Sequence, residues 1–281
     1  MTIKQALEKG TILLKSANIE TPKQKSRLLL QFVMKRTRQY LIVYDDKEMD
    51  EKENKQFFDF IEKMRRGVPL QHITHSQEFM KMDFYVDENV LIPRPDTEIL
   101  VEEVIKIAKK INAKEILDLC TGSGIIAISL AKYLDNINVT AIDISKKALE
   151  IAKGNAKKNE VEEKITWIES DLFENLSMQK YDIIVSNPPY IKKEIIKNLS
   201  KEVKKEPIIA LDGGIDGLDF YRKIIKEAYL YLKHFGFLCF EIGYDQKEEV
   251  INLINQNKIY ANTYCKKDLF DNDRVIITRL E

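Results

Sequence analysis

The chain has 281 residues, with 45 Lys+Arg against 45 Asp+Glu, a formal net charge of zero and 44% hydrophobic residues. That composition supports one sizeable core domain plus an accessory one, and it argues against a protein held on nucleic acid by its total charge. No apolar run approaches the ~18 residues of a membrane span, residues 1–10 lack the apolar stretch of a secretory leader, and Cys120, Cys239 and Cys265 are too few and scattered for a disulfide framework or a Cys-x-x-Cys metal knuckle, so a reduced, cytoplasmic protein is expected.

Residues 1–72 read as helical. Ile3, Ala6, Leu7, Leu13, Leu14 and Ala17 recur at the spacing of one helix face. Thr21-Pro22 has the form of an N-cap with proline at the first helical position, opening a second helix with Leu28, Leu29, Phe32 and Val33 inside. Asp50 caps a third, whose apolar face is Phe57, Phe60, Ile61 and Met64, and Gly67 and Pro69 end it. Three short amphipathic helices can bury a small core of their own. Between residues 73 and 93 the period changes: Phe79, Met82, Phe84, Val86 and Val90 predict two extended segments, a hairpin acting as interdomain linker. Pro93 and Pro95 precede a helix over 97–112.

Strands and helices then alternate. Strands are predicted over 115–119, 138–142, 164–169, 181–186 and 236–242, and helices over 124–134, 145–158, 218–233 and 245–255, with a polar insertion at 191–217. Two closing strands, 259–265 and 274–280, are joined without a helix and should pair antiparallel. The alternation implies a mainly parallel sheet covered by helices on both faces.

Asp118-Leu119-Cys120-Thr121-Gly122-Ser123-Gly124 ends the first of these strands and opens a helix. Glycines let the backbone approach a ligand where a side chain would collide, and the helix beyond presents unpaired N–H groups. Asp143 closes the next strand, where a carboxylate can accept from both hydroxyls of a ribose. Gly122, Gly124 and Ala127 also satisfy the dinucleotide fingerprint G-x-G-x-x-A, and a tight turn with no ligand would use the same glycines, so this motif alone leaves the cofactor class open. Asn187-Pro188-Pro189-Tyr190, after the fourth strand, narrows it. Two prolines remove two backbone donors and stiffen the turn, leaving carbonyls to point into a cleft. Asn187 adds an amide that both accepts and donates, and Tyr190 a flat face. Such a cradle suits a planar amino group, which an amino-group methyltransferase needs and a hydride-transfer enzyme does not. The bland alternative is a rigid polar turn.

Together these two motifs resemble those of the class I S-adenosylmethionine-dependent methyltransferases that alkylate planar amino groups. The chain as a whole resembles the PrmC/HemK family of protein-(glutamine-N5) methyltransferases, through Pro69-Leu70-Gln71-His72-Ile73, Leu91-Ile92-Pro93-Arg94-Pro95-Asp96-Thr97-Glu98, Glu206-Pro207 with Ala210-Leu211-Asp212-Gly213-Gly214, Asp216-Gly217-Leu218 and Asp271-Asn272-Asp273-Arg274. The resemblance implies an α/β, Rossmann-like methyltransferase domain at 94–281 with a seven-stranded, mostly parallel sheet, a small all-helical domain at 1–72 that positions substrate, and a β-hairpin linker at 73–93. It implies S-adenosyl-L-methionine as cofactor, S-adenosyl-L-homocysteine as product and no metal. The substrate implied is the glutamine of a Gly-Gly-Gln motif in class I peptide-chain release factors, methylated by a monomer with neither membrane nor nucleic acid as partner. Carried over by position, Cys120, Thr121, Gly122, Ser123 and Gly124 would hold the methionine end of the cofactor, Asp143 the ribose, and Asp171 and Leu172 the adenine edge. Asn187 would touch both cofactor and glutamine. Asn187, Pro188, Pro189 and Tyr190 would form the substrate cradle, with Asn187, Pro188 and Tyr190 catalytic. The family often has glycine where Cys120 stands, and a small side chain is expected to be tolerated there.

Two other functions compete. A DNA or RNA adenine N6-methyltransferase would use the same cradle but needs a basic groove and a base-flipping pocket. A non-catalytic dinucleotide-binding module has no use for the Asn187 turn. Elsewhere, His72 and His75 lack the partners that would complete a metal site. Residues 192–206 read as a mobile, solvated, Lys-rich flap, Arg94 as stiffening the interdomain joint or contacting a ligand, Asp271 and Arg274 as a structural ion pair, and Trp167 as core.

Overall fold

A computed structural model describes residues Met1–Glu281. The chain forms two compact units, residues 1–75 with 200–205, and residues 76–199 with 206–281.

The first unit is helical: α1 (Ile3–Ser16), α2 (Pro22–Met34), α3 (Arg38–Val43), α4 (Glu51–Arg65) and α5 (Leu70–Thr74). Thr2 and Asp50 close capping boxes on α1 and α4, satisfying first-turn N–H groups that have no partner within the helix. Ile3, Ala6, Leu14, Leu29, Leu30, Phe57, Ile61 and Met64 make the core. The α2 face differs from expectation. Ser26, Leu29 and Leu30 are buried, while Leu28 and Phe32 are each 40% exposed. With several adjacent apolar residues, periodicity defines two neighbouring stripes, and contact with α1 and α4 selects one. Thr21 does not cap α2 through its side chain. It sits at φ 48, and Pro22 starts the helix by its own fixed φ. The short α3 and α5 add to the three helices expected; six and five residues are too few to show a period. Most of residues 192–206 are exposed, as a solvated segment should be, but they are not without structure. They carry a short helix and a 3₁₀ turn (Val203–Lys205), Glu202 pairs with Lys25 at 2.7 Å, and Glu206 is buried.

The second unit begins with β1 (Gln77–Phe79) and β2 (Met82–Phe84), followed by α6 (Thr97–Ile111), β3 (Glu115–Leu119), α7 (Ile125–Tyr133), β4 (Asn138–Asp143), α8 (Lys146–Lys158), β5 (Ile165–Glu169), β6 (Tyr181–Ser186), α9 (Lys193–Ile196), α10 (Asp219–Glu227), β7 (Leu232–Glu241), α11 (Lys247–Gln256), β8 (Tyr260–Lys267) and β9 (Asp273–Leu280). β1 and β2 form the expected antiparallel hairpin; Met80 and Lys81 at its tip both have positive φ, as a two-residue turn matched to strand twist requires. The other strands form one seven-stranded sheet in the order β5-β4-β3-β6-β7-β9-β8, parallel except for β9, which runs antiparallel to both its neighbours. Along β3 the side chains alternate. Ile116 joins a core with α6, α7 and the hairpin, and Leu117 and Leu119 join the core under α10 and α11.

The helix expected over 218–233 stops at Glu227. A 3₁₀ turn (Ala228–Leu230) follows, and β7 starts at Leu232, paired with Tyr181. A 3₁₀ turn keeps residues three apart on one face and so prolongs the apparent helical period. The ion pair by the last strand is also different. Arg274 meets Asp96 and Asp268, both at 3.2 Å, whereas Asp271 pairs with Lys267. Asp268 accepts from the N–H of Phe270 and of Asn272 across the β8–β9 turn, which turns its other oxygen toward Arg274.

Gly124 N-caps α7 at φ +85, and a Cβ there would lie 2.9 Å from Ile128 Cδ1 and 3.0 Å from Ala152 Cβ. Gly124→Ala should therefore lower the unfolding free energy by about 1–3 kcal/mol, read from urea unfolding.

Candidate active site

Between β3 and β6 the sheet order reverses, and the loops leaving the carboxyl ends of β3, β4, β5 and β6 rim one cleft. It measures about 680 Å³ including its open mouth, and Cys120, Gly122, Asp143, Asp171, Leu172, Asn187 and Pro189 line it together with Val90, Ile144, Ser145 and Phe220. An adjoining recess is lined by Thr121, Ser123, Arg94 and Thr97, and Cys120, Gly122 and Asn187 belong to both. Gly124, Pro188 and Tyr190 are on neither lining.

The glycine loop is held by carboxylates beneath it. The Thr121 hydroxyl and the Ala127 N–H both donate to Asp118 Oδ2, and the Thr121 N–H donates to the Ile142 carbonyl at 2.9 Å. Asp143 Oδ2 accepts from the Gly122 N–H and its Oδ1 from the Ser145 N–H, each at 2.8 Å. Asn155 on α8 donates to the Ser123 carbonyl at 2.9 Å and exchanges two hydrogen bonds with the Tyr85 backbone. The two glycines have different jobs. Gly124 permits close packing of α7 on α8, whereas a Cβ at Gly122 would meet nothing within 4 Å, so the missing side chain opens the cleft itself. Cys120 takes φ 61, a left-handed conformation that glycine adopts more cheaply. Burial, then Asp143 and Asp118, push its thiol far above the ordinary range.

The double-proline turn is anchored at several points. Ser186 Oγ donates to the Leu119 carbonyl at 2.8 Å, tying the end of β6 to the end of β3. Asn187 Nδ2 donates to Thr97 Oγ1 at 3.2 Å, and the Tyr190 hydroxyl donates to Glu241 Oε1 at 3.5 Å. Gln246 Nε2 donates to the Tyr190 carbonyl at 3.0 Å. A Cβ at Gly213 would sit 2.7 Å from Tyr190 Cα, so only glycine fits against the turn. Burial pushes Glu241 up to about 7, and burial followed by Glu241 raises the Tyr190 phenol.

These residues fit a nucleoside-bearing ligand. Val90, Leu172 and Phe220 offer apolar walls to a flat base, Asp143 and Asp171 offer acceptors, and the loop at Gly122 leaves space for backbone approach. Thr97, Asn155, Glu206 and Glu241 were not among the site residues read from sequence. Buried Glu206 accepts from the Ile92 N–H at 2.8 Å and pairs with Arg94, which also lines the recess. A signal for Glu241 was present: a carboxylate ending an otherwise apolar strand is expensive unless it has work to do.

A sequence model of the methyltransferase small domain matches residues 95–208, and one of the PrmC N-terminal domain matches residues 5–74. The release factor glutamine methyltransferase of Clostridium acetobutylicum is 42% identical over 280 residues, covering 99% of this chain and 98% of that one. Its namesake in Moorella thermoacetica is 38% identical over 277 residues, covering 99% and 98%. Among solved structures, a methyltransferase from Pyrococcus furiosus aligns with TM-score 0.52 at 18% identity over 72% of this chain and 90% of that one. The ribosomal protein L11 methylase of Lactobacillus delbrueckii subsp. bulgaricus aligns with TM-score 0.51 at 21% identity over 70% and 84%. At those identities the structures attest the fold alone.

Burial raises Asp118 from 3.8 to about 7. A carboxyl raised in this way favours folding below its unfolded value, and that contribution is lost as pH climbs through about 7. Asp118→Asn, neutral throughout, should gain stability relative to the parent between about pH 4 and about pH 8 in urea unfolding. The Cys120 thiol, held protonated, should resist iodoacetamide at about pH 7.5 in the folded protein, as mass mapping would show.

Proposed function

The chain belongs to the family of release factor glutamine methyltransferases, which use S-adenosylmethionine, and from that premise we propose that it transfers a methyl group to the side-chain N5 of the glutamine in the Gly-Gly-Gln motif of class I peptide-chain release factors. One observation carries the reading: the glycine loop and the Asn187 turn line the same cleft, with Asn187 shared between its two compartments.

A carboxamide nitrogen is a poor nucleophile because its lone pair is delocalised into the carbonyl. Bound S-adenosylmethionine supplies an electrophilic sulfonium methyl. What remains for the protein is alignment and charge stabilisation. Asn187 Oδ1 and the Pro188 carbonyl accept the two N–H bonds of the glutamine amide, aiming its nitrogen and stabilising the positive charge that develops there. Pro188 and Pro189 keep those acceptors in place by stiffening the turn. Tyr190 acts from behind, through the hydroxyl that meets Glu241. Residues 120–124 receive the methionine end of the cofactor, Asp143 the ribose, and Asp171 and Leu172 the adenine edge. An N-alkylated cationic amide is strongly acidic, so its proton leaves to solvent without a tuned base, and the transfer calls for no metal. Residues 1–72 position the partner protein, and a cytoplasmic monomer suffices.

Incubation with labelled cofactor and a purified release factor, followed by mass mapping, should place one methyl group on that glutamine; label on DNA and none on protein would reverse the reading in favour of adenine N6-methylation. Asn187→Ala should lower turnover about 100-fold or more while the fold survives. In equilibrium titrations S-adenosylmethionine should bind and NAD should not.

A further inference from the structure

We propose that Ile215, Tyr244, Leu269 and Phe270 form an apolar rim beside the Asn187–Tyr190 turn, and that the release factor docks on it while presenting its glutamine; the proposal rests on the substrate named above.

Leu269 is 97%, Ile215 87%, Phe270 85% and Tyr244 69% exposed, although a folded chain gains by withdrawing such side chains from water. They are scattered in sequence, yet each is carried by a segment fastened to the turn. Ile215 belongs to residues 212–217, where the Gly213 N–H donates to the Ile191 carbonyl and the Lys193 N–H to the Gly214 carbonyl, both at 2.9 Å. Tyr244 stands two residues before Gln246, whose Nε2 donates to the Tyr190 carbonyl at 3.0 Å and to the Gly217 carbonyl at 3.2 Å. Asp245, next to Tyr244, pairs with Lys192 at 3.5 Å. Leu269 and Phe270 occupy the turn between β8 and β9. Lys247 meets Asp273 at 3.5 Å, which ties that turn to the Tyr244 segment. On its other side Arg274 joins Asp268 to Asp96, one residue before the Thr97 that meets Asn187 Nδ2.

These side chains ride on fixed backbone. Asp268 accepts from the N–H of Phe270 and of Asn272, and Gln246 exchanges two hydrogen bonds with the backbone of Gly243. An apolar group held in place beforehand gives up less freedom when a partner covers it. None of the four lines the cleft or its recess, so the cofactor has no need of them. The substrate does. A glutamine side chain is short, so the protein that delivers it to Asn187 must lie against the surface around the turn. Charge favours a protein over a nucleic acid as that occupant. Lys192, Lys247, Lys267 and Arg274 each meet a carboxylate, which leaves these segments poor in free positive charge for a phosphate backbone. Exposed apolar side chains among paired charges suit a protein–protein contact.

The test uses the full-length enzyme. Titration with a purified release factor, with S-adenosylhomocysteine present, reads docking without turnover, and steady-state methylation reads it again as KM. The double variant Leu269→Ser, Phe270→Ser should weaken binding and raise KM for the release factor about tenfold or more, with kcat and S-adenosylmethionine affinity unchanged. Ile215→Ser and Tyr244→Ser should each weaken binding about threefold or more. Met178→Ser should change nothing; that residue is 75% exposed but precedes the amino end of β6, whereas Asn187 follows its carboxyl end. Parental affinity in the folded double variant, or an equal loss in Met178→Ser, would overturn the proposal. So would a double variant that loses affinity for duplex DNA and keeps it for the release factor. A parent protein that binds the release factor without methylating it would defeat the functional reading and spare the rim, and one that does not bind it would defeat the rim.

Discussion

Because β3 lies between β4 and β6, the chain must leave its two central strands toward opposite faces of the sheet. From β3 it enters α7, which packs in one core, and beyond β6 it reaches α10, packed in the other. No backbone fills the gap between those departures, so a crevice opens at the carboxyl ends of the strands. The glycine loop forms one lip and the double-proline turn the other, although more than sixty residues separate them along the chain. Ser186 donating to the Leu119 carbonyl joins the lips at their base, where the parallel pairing of Leu119 with Ser186 has already set their register.

Above that base, acidic side chains, three of them buried and Asp143 partly so, give the loops their shape. Asp118 and Asp143 hold the glycine loop, Glu206 holds the backbone at Ile92 and the guanidinium of Arg94, and Glu241 stands behind the Asn187 turn. Each saturates N–H or O–H groups that would otherwise be loose or unsatisfied near the cleft. The cost is visible in Asp118 and Glu241, whose carboxyls burial raises to about 7. A site that works by alignment benefits from this arrangement, since polar groups fixed in a low-dielectric surround need no reorganisation when a ligand arrives. The same surround makes the direction of each donor matter, because a misdirected hydrogen bond has no water to correct it.

Much of the architecture was legible from local pattern. The strands at 115–119 and 181–186 match to the residue, and the Ser145 cap and the Asp50 cap are where the residue types put them. Short apolar runs bounded by turn residues are decided by their own chemistry, and parallel strands buried on both faces show it most clearly. The misreadings share a different cause. Leu28 against Leu30, the end of α10 at Glu227, and the partners of Arg274 all depend on which surface arrives from elsewhere in the chain.

The cleft divides in the same way. Residue type and strand-end position alone marked Gly122, Asp143, Asp171 and Asn187 as rim groups, since a glycine in a strand–helix turn, an acid closing a strand and an amide before two prolines carry their meaning locally. Tertiary structure decided that Gly124 lets α7 pack closely on α8, that the Tyr190 hydroxyl turns to Glu241, and that Thr97 stands against Asn187 across ninety residues of sequence. Those assignments depend on distance and on exclusion of water, and both arise only when segments remote along the chain are packed together.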